Sequence, residues 1–156
     1  MIALKHVLVP VDFSECSEAA VTQARAFADR FGATLHVLHV VTEPLHEVWA
    51  TYAPGADFLD TVQRLEGEAC KEIERLSALA DLPPGRLVIA TVLGDASEQI
   101  LKYAATHGID LIVSGTHGRR GWDHVIMGSV AERLVRLAPC PVLTVHSLRG
   151  RAQAAA

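Results

Sequence analysis

The stretch that decides the fold is "HVLVPVDFSECSEAAVTQARAFADRFGATLHVLHVV", residues 6–41. It opens with an apolar run of strand length, His6 to Val11, and closes with a second one, Thr34 to Val41. Between them, Ser14 to Phe31 carries apolar or small residues at helical spacing, and Gly32 stands where a helix C-cap is expected. A strand, a helix and a second strand predict two parallel strands joined by a crossover.

Apolar runs and helical patterns alternate along the rest of the chain. Near-continuous Val/Ile/Leu strands joined by helices indicate a parallel sheet with helices on both faces. We predict an open, Rossmann-like α/β fold whose five parallel strands follow the order 3-2-1-4-5, in a single domain over residues 1–147 with a disordered tail at 148–156. The remaining strands are predicted at Leu87–Leu93, Ile109–Ser114 and Val142–His146, and the remaining helices at Phe58–Ala80, Asp95 to about His107, and Ser129–Leu137.

Composition excludes several classes of protein. The net charge of −4 argues against a nucleic-acid partner, which calls for a basic face. No apolar stretch approaches the roughly 20 residues of a membrane span, and the N-terminus shows no export signal, so we expect a cytoplasmic protein without a membrane partner. Three well-separated cysteines, Cys16, Cys70 and Cys140, suggest neither a disulfide framework nor a zinc site.

A glycine-rich segment, "SGTHGRRGWDHVIMGSVAE", joins the fourth strand to the last helix at residues 114–132. Its glycines allow backbone N–H groups to approach an anion, and the helix that starts near Ser129 directs its N-terminus toward the segment. Arg119 adds positive charge, so the segment has the parts of a polyphosphate site. The alternative is structural: Gly128 forms a turn, and Ser129 with Glu132 forms an ordinary capping box.

The better-known phosphate motifs do not occur here. The pattern GxxxxGK[ST] is absent, and the first strand is followed by "DFSE" rather than GxGxxG. Ser14 and Ser17 lack the G-x-S-x-G context of a serine hydrolase. Neither a P-loop nor a dinucleotide fold of the usual kind is therefore indicated.

The spacing G-x2-G-x9-G-S, read at Gly115, Gly118, Gly128 and Ser129, resembles the nucleotide-binding signature of the universal stress protein family. The resemblance extends to "VLVPVDFSE", "HVV" and "GSVAERLVRLAPCPVLTV", and so covers nearly the whole chain. It implies an ATP-binding member, a small stress-response module that often forms a homodimer through its last strand, here Val142–His146. Phosphate chemistry adds Mg²⁺ or Mn²⁺ bridging the phosphates.

The resemblance also implies which residues meet the nucleotide, at the carboxyl ends of the first and fourth strands. Those bordering adenine and ribose would be Pro10, Val11 and Asp12, with Val40 and Val41 beside the base. The ribose and phosphates would meet Gly115, His117, Gly118, Arg119, Gly128, Ser129 and Val130.

Several readings stay open on the sequence alone. Asp12 either orients the ribose or base edge or helps to cap the following helix, and His117 contacts a phosphate, acts as a base or is passive. His36 and His39 lie three apart on a strand, hence on opposite faces, which favours buried, hydrogen-bonded histidines over a metal pair. The rival functions are a slow ATPase, although the sequence shows no clear water-activating base, and a protein-interaction module with a relic motif.

Two segments have no assigned role. The irregular connection Thr42–Asp57 is read as a lid, a partner-facing loop or an ordinary surface excursion. Trp122, Asp123 and His124 lie inside the glycine-rich segment without a predicted function.

Overall fold

The structure is a computed structural model that describes residues 3–42, 71–76, 78, 80–83, 85–116 and 127–146. Residues 71–76 are helical. Within these ranges, none of the helices has the combination of length and hydropathy that a bilayer crossing requires. The other elements, in chain order, are β1 (His6–Val11), α1 (Glu15–Phe31), β2 (Thr34–Val41), β3 (Leu87–Leu93), α2 (Ala96–Thr106), β4 (Leu111–Gly115), α3 (Ser129–Leu137) and β5 (Val142–Val145).

The five strands form one parallel sheet in the order β3-β2-β1-β4-β5. This confirms the predicted fold class and strand order. The first strand therefore lies at the centre, with β2 on one side and β4 on the other. The order of the strands reverses beside β1, and open α/β sheets bind ligands at such a point.

Alternation along β1 sends its side chains into two separate hydrophobic layers. Val7 and Val9 pack with α1 on one face, and Leu8 packs with α2 and α3 on the other. The first layer also buries Ala20, Val21, Ala24, Leu35, Val37 and Leu76, and the second buries Leu38, Ile100, Tyr103, Ile112 and Leu134.

The ends of the helices follow the predicted signals. Ser14 is the N-cap of α1, and Gly32 ends that helix in the left-handed conformation, at φ 67°. Asp95 caps α2 by accepting a 2.9 Å hydrogen bond from the Glu98 N–H, so the predicted signals hold at both ends of α1 and at the start of α2. The half-buried Arg86 guanidinium donates to the carbonyls of Ala28 and Ala33, which satisfies acceptors at the end of α1.

Three strand boundaries differ from the predictions, one of them the end of the fourth strand, which is Gly115 rather than Ser114. The fourth strand begins at Leu111 rather than Ile109, because the Ile109 N–H bonds to the Ala104 carbonyl and the Asp110 carboxylate accepts the backbone N–H groups of Lys5 and His6. The fifth strand ends at Val145, one residue earlier than predicted.

Of the predicted Phe58–Ala80 helix, residues 71–76 are helical, with Ile73 and Leu76 buried. Three predicted segments lie outside the described residues. They are the part of that helix up to residue 70, the Thr42–Asp57 connection beyond Thr42, and the 148–156 tail.

Candidate functional site

The carboxyl ends of the two central strands lie side by side. Pairing between β1 and β2 runs the full length of β1, as far as Val11 with His39, whereas pairing between β1 and β4 covers Val7 and Leu8. The β1–β4 ladder thus occupies the amino half of β1. The carboxyl half, where Pro10 and Val11 lie, faces the crevice expected at the reversal of strand order.

One hydrogen bond closes the glycine-rich segment. The Gly128 N–H donates to the Thr116 carbonyl at 2.7 Å, so Thr116 and Gly128, on either side of the intervening segment, lie together at the sheet. Thr116 is itself held at the sheet, because its N–H donates to the Val145 carbonyl and its hydroxyl lies 2.9 Å from His146 Nδ1. Within this closed segment, the following predicted or discussed residues lie outside the described residues: His117, Gly118, Arg119, Trp122, Asp123 and His124.

The helix after this closure begins without a side-chain cap from its N-cap residue. That N-cap is Gly128, at φ −71° and ψ 156°, and Ser129 is the first helical residue. The capping-box alternative, which needs Ser129 as the N-cap, is therefore wrong: the chain enters the helix one residue earlier than the spacing suggested. Gly128 offers no carboxylate or hydroxyl to accept from the first N–H groups of α3. These N–H groups and the positive end of the helix dipole therefore suit an anion.

Gly115 ends β4 where the first turn of α1 crosses it. A Cβ on Gly115 would lie 2.8 Å from Cys16 Cβ and 3.0 Å from the Cys16 carbonyl carbon. This close approach explains a glycine here by packing alone, whatever else the residue contacts. No sequence pattern indicated this contact, because Cys16 is distant along the chain.

Asp12 leads from β1 into α1 and is held by two serines. One carboxylate oxygen, Oδ1, accepts from the Ser14 N–H at 3.1 Å, from the Ser14 hydroxyl at 2.6 Å and from the Ser17 hydroxyl at 2.5 Å. The Asp12 N–H donates back to the Ser17 hydroxyl at 3.0 Å. Asp12 therefore supports the start of α1, as one of its two predicted roles required, and its carboxylate has a fixed orientation at the crevice. Sequence reasoning missed the part played by Ser17.

The residues predicted to surround a base lie on adjacent strands at the same edge. Pro10 and Val11 are the last residues of β1, and Val40 and Val41 are the last of β2. Pro10, Val40 and Val41 are half-buried, so the edge is neither sealed nor fully open.

The two histidines of β2 lie on opposite faces, as predicted. His36 is buried and bonds to His6 and to the Tyr103 hydroxyl, whereas the His39 ring bonds to the Val11 carbonyl. Burial, with smaller contributions from His6 and His107, lowers the pKa of His36 to about 4. Among the described side chains, no three His, Cys, Asp or Glu residues are arranged to hold a metal ion.

The sequence match to known proteins covers the whole of this architecture. Residues 3–146 match the model of the universal stress protein family. The chain belongs to the universal stress protein family. The resemblance predicted from the G-x2-G-x9-G-S spacing is thereby confirmed at the level of the family.

Similar universal stress proteins come from bacteria. The universal stress protein A homolog 1 of Coxiella burnetii is 32% identical over 146 residues, which cover 90% of this chain and 95% of that protein. The solved universal stress protein UspA from Lactobacillus plantarum is 30% identical and superimposes with a TM-score of 0.75, covering 93% of this chain and 99% of that one.

Two more distant universal stress proteins were solved with adenine nucleotides. One, 20% identical with a TM-score of 0.66, is in complex with cAMP, with 94% of this chain and 99% of that one covered. The other, from Archaeoglobus fulgidus, is in complex with dAMP, is 18% identical and has a TM-score of 0.62, with coverages of 93% and 99%. At these identities the likeness establishes the shared fold.

Proposed function

We propose that this universal stress protein binds ATP, together with Mg²⁺ or Mn²⁺, at the carboxyl ends of β1 and β4. The observation that carries the proposal is the Gly128–Thr116 hydrogen bond, which sets the N-terminus of α3 against the end of β4. Backbone N–H groups and a helix dipole beside a crevice between parallel strands suit a phosphate chain. The cAMP and dAMP complexes of two relatives support adenine as the base.

The proposed contacts divide between the two ends of the ligand. Adenine and ribose lie against the ends of β1 and β2, formed by Pro10, Val11, Asp12, Val40 and Val41. Ribose and phosphates lie along the closed segment and the first turn of α3, contributed by Gly115, His117, Gly118, Arg119, Gly128, Ser129 and Val130.

The divalent ion belongs to the phosphates rather than to a protein cage. Mg²⁺ is commonly held by substrate phosphates and water with few protein ligands. The described residues contain no cluster of three metal-ligating side chains, which fits an ion that arrives with the nucleotide.

In this proposal the protein is a cytoplasmic regulatory module of the stress response and not an efficient enzyme. Hydrolysis needs a positioned base for the attacking water, and among the described site residues Asp12 is the carboxylate at the crevice. Its Oδ1 atom accepts three hydrogen bonds from Ser14 and Ser17, which hold this oxygen at the start of α1 and engage it there instead of with an attacking water. We therefore expect bound ATP to remain intact for many hours.

A homodimer is the second part of the proposal. The outer strand β5 is short and rich in Val and Leu, and α3, which packs against it, exposes Val135 and Leu137. An edge strand of this composition pairs readily with another chain, and twofold symmetry would bring the two β5 strands together antiparallel.

Two measurements test nucleotide binding. Native mass spectrometry identifies the ligand that the purified protein carries, and calorimetric titration measures the ATP affinity with and without Mg²⁺. We expect ATP to bind, and Arg119→Ala to weaken ATP more than adenosine, because only ATP offers phosphates to the guanidinium. Equal losses for the two ligands would place Arg119 away from the phosphates.

The rival functions give different results in the same experiments. A protein that neither carries nor binds an adenine nucleotide would be an interaction module with a relic motif. Multiple turnovers of ATP that disappear in His117→Ala would make it an ATPase. A control with heat-denatured protein measures the background hydrolysis of ATP that the metal ion causes without folded protein.

A further inference from the structure

The turn between β1 and α1 contains a residue in an unfavourable backbone conformation. Phe13 has φ +66°, in the left-handed region that bulky residues seldom occupy. It lies between Asp12 and the N-cap Ser14. Such a conformation persists where the surrounding structure holds it in place, so the contacts of this turn carry information about what it is for.

His39 contacts this turn in two different ways. Its ring centroid lies 4.3 Å from that of Phe13, with the ring planes 32° apart. Its Nδ1 atom lies 2.9 Å from the Val11 carbonyl oxygen. Because a carbonyl only accepts hydrogen bonds, Nδ1 carries the proton and the donor is the imidazole N–H. One side chain on β2 therefore holds the last residue of β1 and the strained residue just after Asp12.

The position of His39 in the chain links the same turn to the end of β2, which is proposed to border the base. His39 immediately precedes Val40 and Val41, the last residues of β2. It also pairs in register with Val11, the last residue of β1. Its hydrogen bond thus ties the two strand ends together on the α1 face of the sheet, where Phe13 also packs.

We propose that His39 is a positioning residue for the adenine base. Through the Val11 hydrogen bond and the Phe13 contact it holds the turn after β1 against the end of β2, where the proposed site places the base. The inference rests on the proposed function, since it concerns the base end of that same site. A flat aromatic base requires a slot of set width, and the binding energy of such a ligand falls when its walls must be ordered on binding.

The proposal makes a prediction that depends on the ligand. The phosphate end of the proposed site includes the first turn of α3 and its Gly128 closure, whereas the contacts of His39 with described residues are to Val11 and Phe13. Loss of His39 should therefore weaken ligands that contain adenine and leave tripolyphosphate, which has no base, unaffected. If His39 had a purely structural role, its loss would lower the apparent affinity for ATP, adenosine and tripolyphosphate alike, because it would lower the fraction of folded protein.

Three substitutions separate the two contacts. His39→Phe keeps a ring against Phe13 but removes the donor to Val11. His39→Asn keeps an N–H close to the position of Nδ1 but removes the ring, and His39→Ala removes both. His36→Gln, on the opposite face of the same strand, is the matched control.

ATP, adenosine and tripolyphosphate are titrated into each variant by calorimetry. We expect His39→Phe to weaken ATP and adenosine about fivefold to tenfold, as for the loss of one hydrogen bond with its acceptor left in place. His39→Asn should recover part of that loss, and His39→Ala should be the weakest. Tripolyphosphate affinity should stay within about twofold throughout, and His36→Gln should match the wild type. Wild-type affinity for adenosine in His39→Phe, or an equal loss for tripolyphosphate, overturns the proposal.

Titration of the wild type separates this inference from the function on which it rests. If the wild type binds neither ATP nor adenosine, both the proposed function and the positioning role of His39 are overturned. If the wild type binds both ligands and His39→Phe binds them equally well, only the positioning role of His39 is overturned. Should His39→Phe fail to fold, nuclear magnetic resonance of the wild type decides: adenosine must shift the His39 imidazole and Phe13 amide signals, and tripolyphosphate must not. Unshifted signals at saturating adenosine overturn the proposal.

Discussion

The carbonyl oxygen of Thr116 lies 2.7 Å from the backbone nitrogen of Gly128, and this hydrogen bond joins the end of β4 to the start of α3. The direction of the α3 axis at the sheet edge is therefore set by backbone contacts at residues 116 and 128. The chemistry of the intervening segment can vary while the helix N-terminus stays in place.

Gly128→Asp should change stability and nucleotide binding in opposite directions. The backbone at residue 128 is extended, a conformation that does not require glycine, and an aspartate at the N-cap would accept a hydrogen bond from the first turn of α3. The free energy of unfolding should rise by about 0.3–1 kcal/mol through the cap and the helix dipole. ATP affinity should fall at least tenfold, because the carboxylate occupies the N–H groups and repels phosphate. Urea unfolding and calorimetry measure the two effects.

Gly128→Asn provides the neutral comparison for this variant. It offers a cap of similar quality without the negative charge, so it should weaken ATP binding less than the aspartate does. Undiminished ATP affinity in both variants would argue against phosphates at the α3 N-terminus.

Gly115→Ala should destabilise the fold itself. The added Cβ would lie 2.8 Å from Cys16 Cβ and 3.0 Å from the Cys16 carbonyl carbon, so either the end of β4 or the first turn of α1 must move. We expect the free energy of unfolding to fall by about 1–3 kcal/mol, the usual cost of overpacking. Urea unfolding at neutral pH measures it, and Ser114→Ala, one residue earlier in the strand, is the comparison. A Gly115→Ala protein as stable as Ser114→Ala would contradict the packing explanation.

Stability should depend on pH through His36. Burial, aided by His6 and His107, lowers the pKa of its imidazole from 6.5 to about 4, so the folded state favours the neutral ring. The unfolded chain binds the proton more readily, so this contribution is fully present above pH 6.5 and is lost as the pH falls toward 4. Across that window the wild type should lose roughly 3 kcal/mol from this group.

The matched variant for the pH experiment is His36→Gln, which keeps a neutral side chain able to bond to the Tyr103 hydroxyl. Other groups titrate over the same range, so the useful quantity is the difference in unfolding free energy between the two proteins at pH 7.5 and pH 4.5. A difference that does not change with pH would mean that His36 titrates alike in the folded and unfolded chains.

Thr144→Pro should convert the proposed dimer into a monomer without disrupting the sheet. Ile112 donates to the Pro141 carbonyl and Thr116 donates to the Val145 carbonyl, so alternation directs the backbone groups of Thr144 to the outer edge of β5. Proline there removes an outward N–H and is tolerated on an edge strand. Sedimentation velocity should show the loss of the dimer, with far-ultraviolet circular dichroism unchanged.

Thr144→Val is the control for size and should leave the association intact. A wild-type chain that sediments as a monomer at high protein concentration would end the dimer proposal, whatever the proline variant does.

Sequence patterns predicted the elements that are defined by nearby residues. The first three strands have the predicted bounds, because each is a continuous apolar run closed by a polar or glycine residue, as β1 is by Asp12. The predicted C-cap at Gly32 is confirmed for the same reason, since a left-handed residue at the end of an amphipathic helix is a local requirement.

Features set by long-range contacts could not be predicted in this way. The start of β4 depends on Asp110 accepting N–H groups from Lys5 and His6, and Gly115 is explained by Cys16 of another element. The capping-box alternative for α3 is wrong because a serine followed three residues later by a glutamate also occurs when the serine is the first helical residue, as Ser129 is. The closure by Gly128 decides between them. The strand ends and the first turn of α3 that belong to the predicted site lie at the same edge of the sheet. The contacts of these residues with a nucleotide stay predictions.

The central place of the first strand has a consequence for how the chain folds during synthesis. Its partner on one side, β2, follows soon after, but its partner on the other side, β4, begins at Leu111. Until that part of the chain has emerged from the ribosome, β1 has one edge without its native neighbour, and the Lys5 and His6 amides lack the Asp110 carboxylate. Truncated or stalled chains that end before β4 should therefore present an apolar strand edge, the kind of surface that chaperones bind and aggregates grow from.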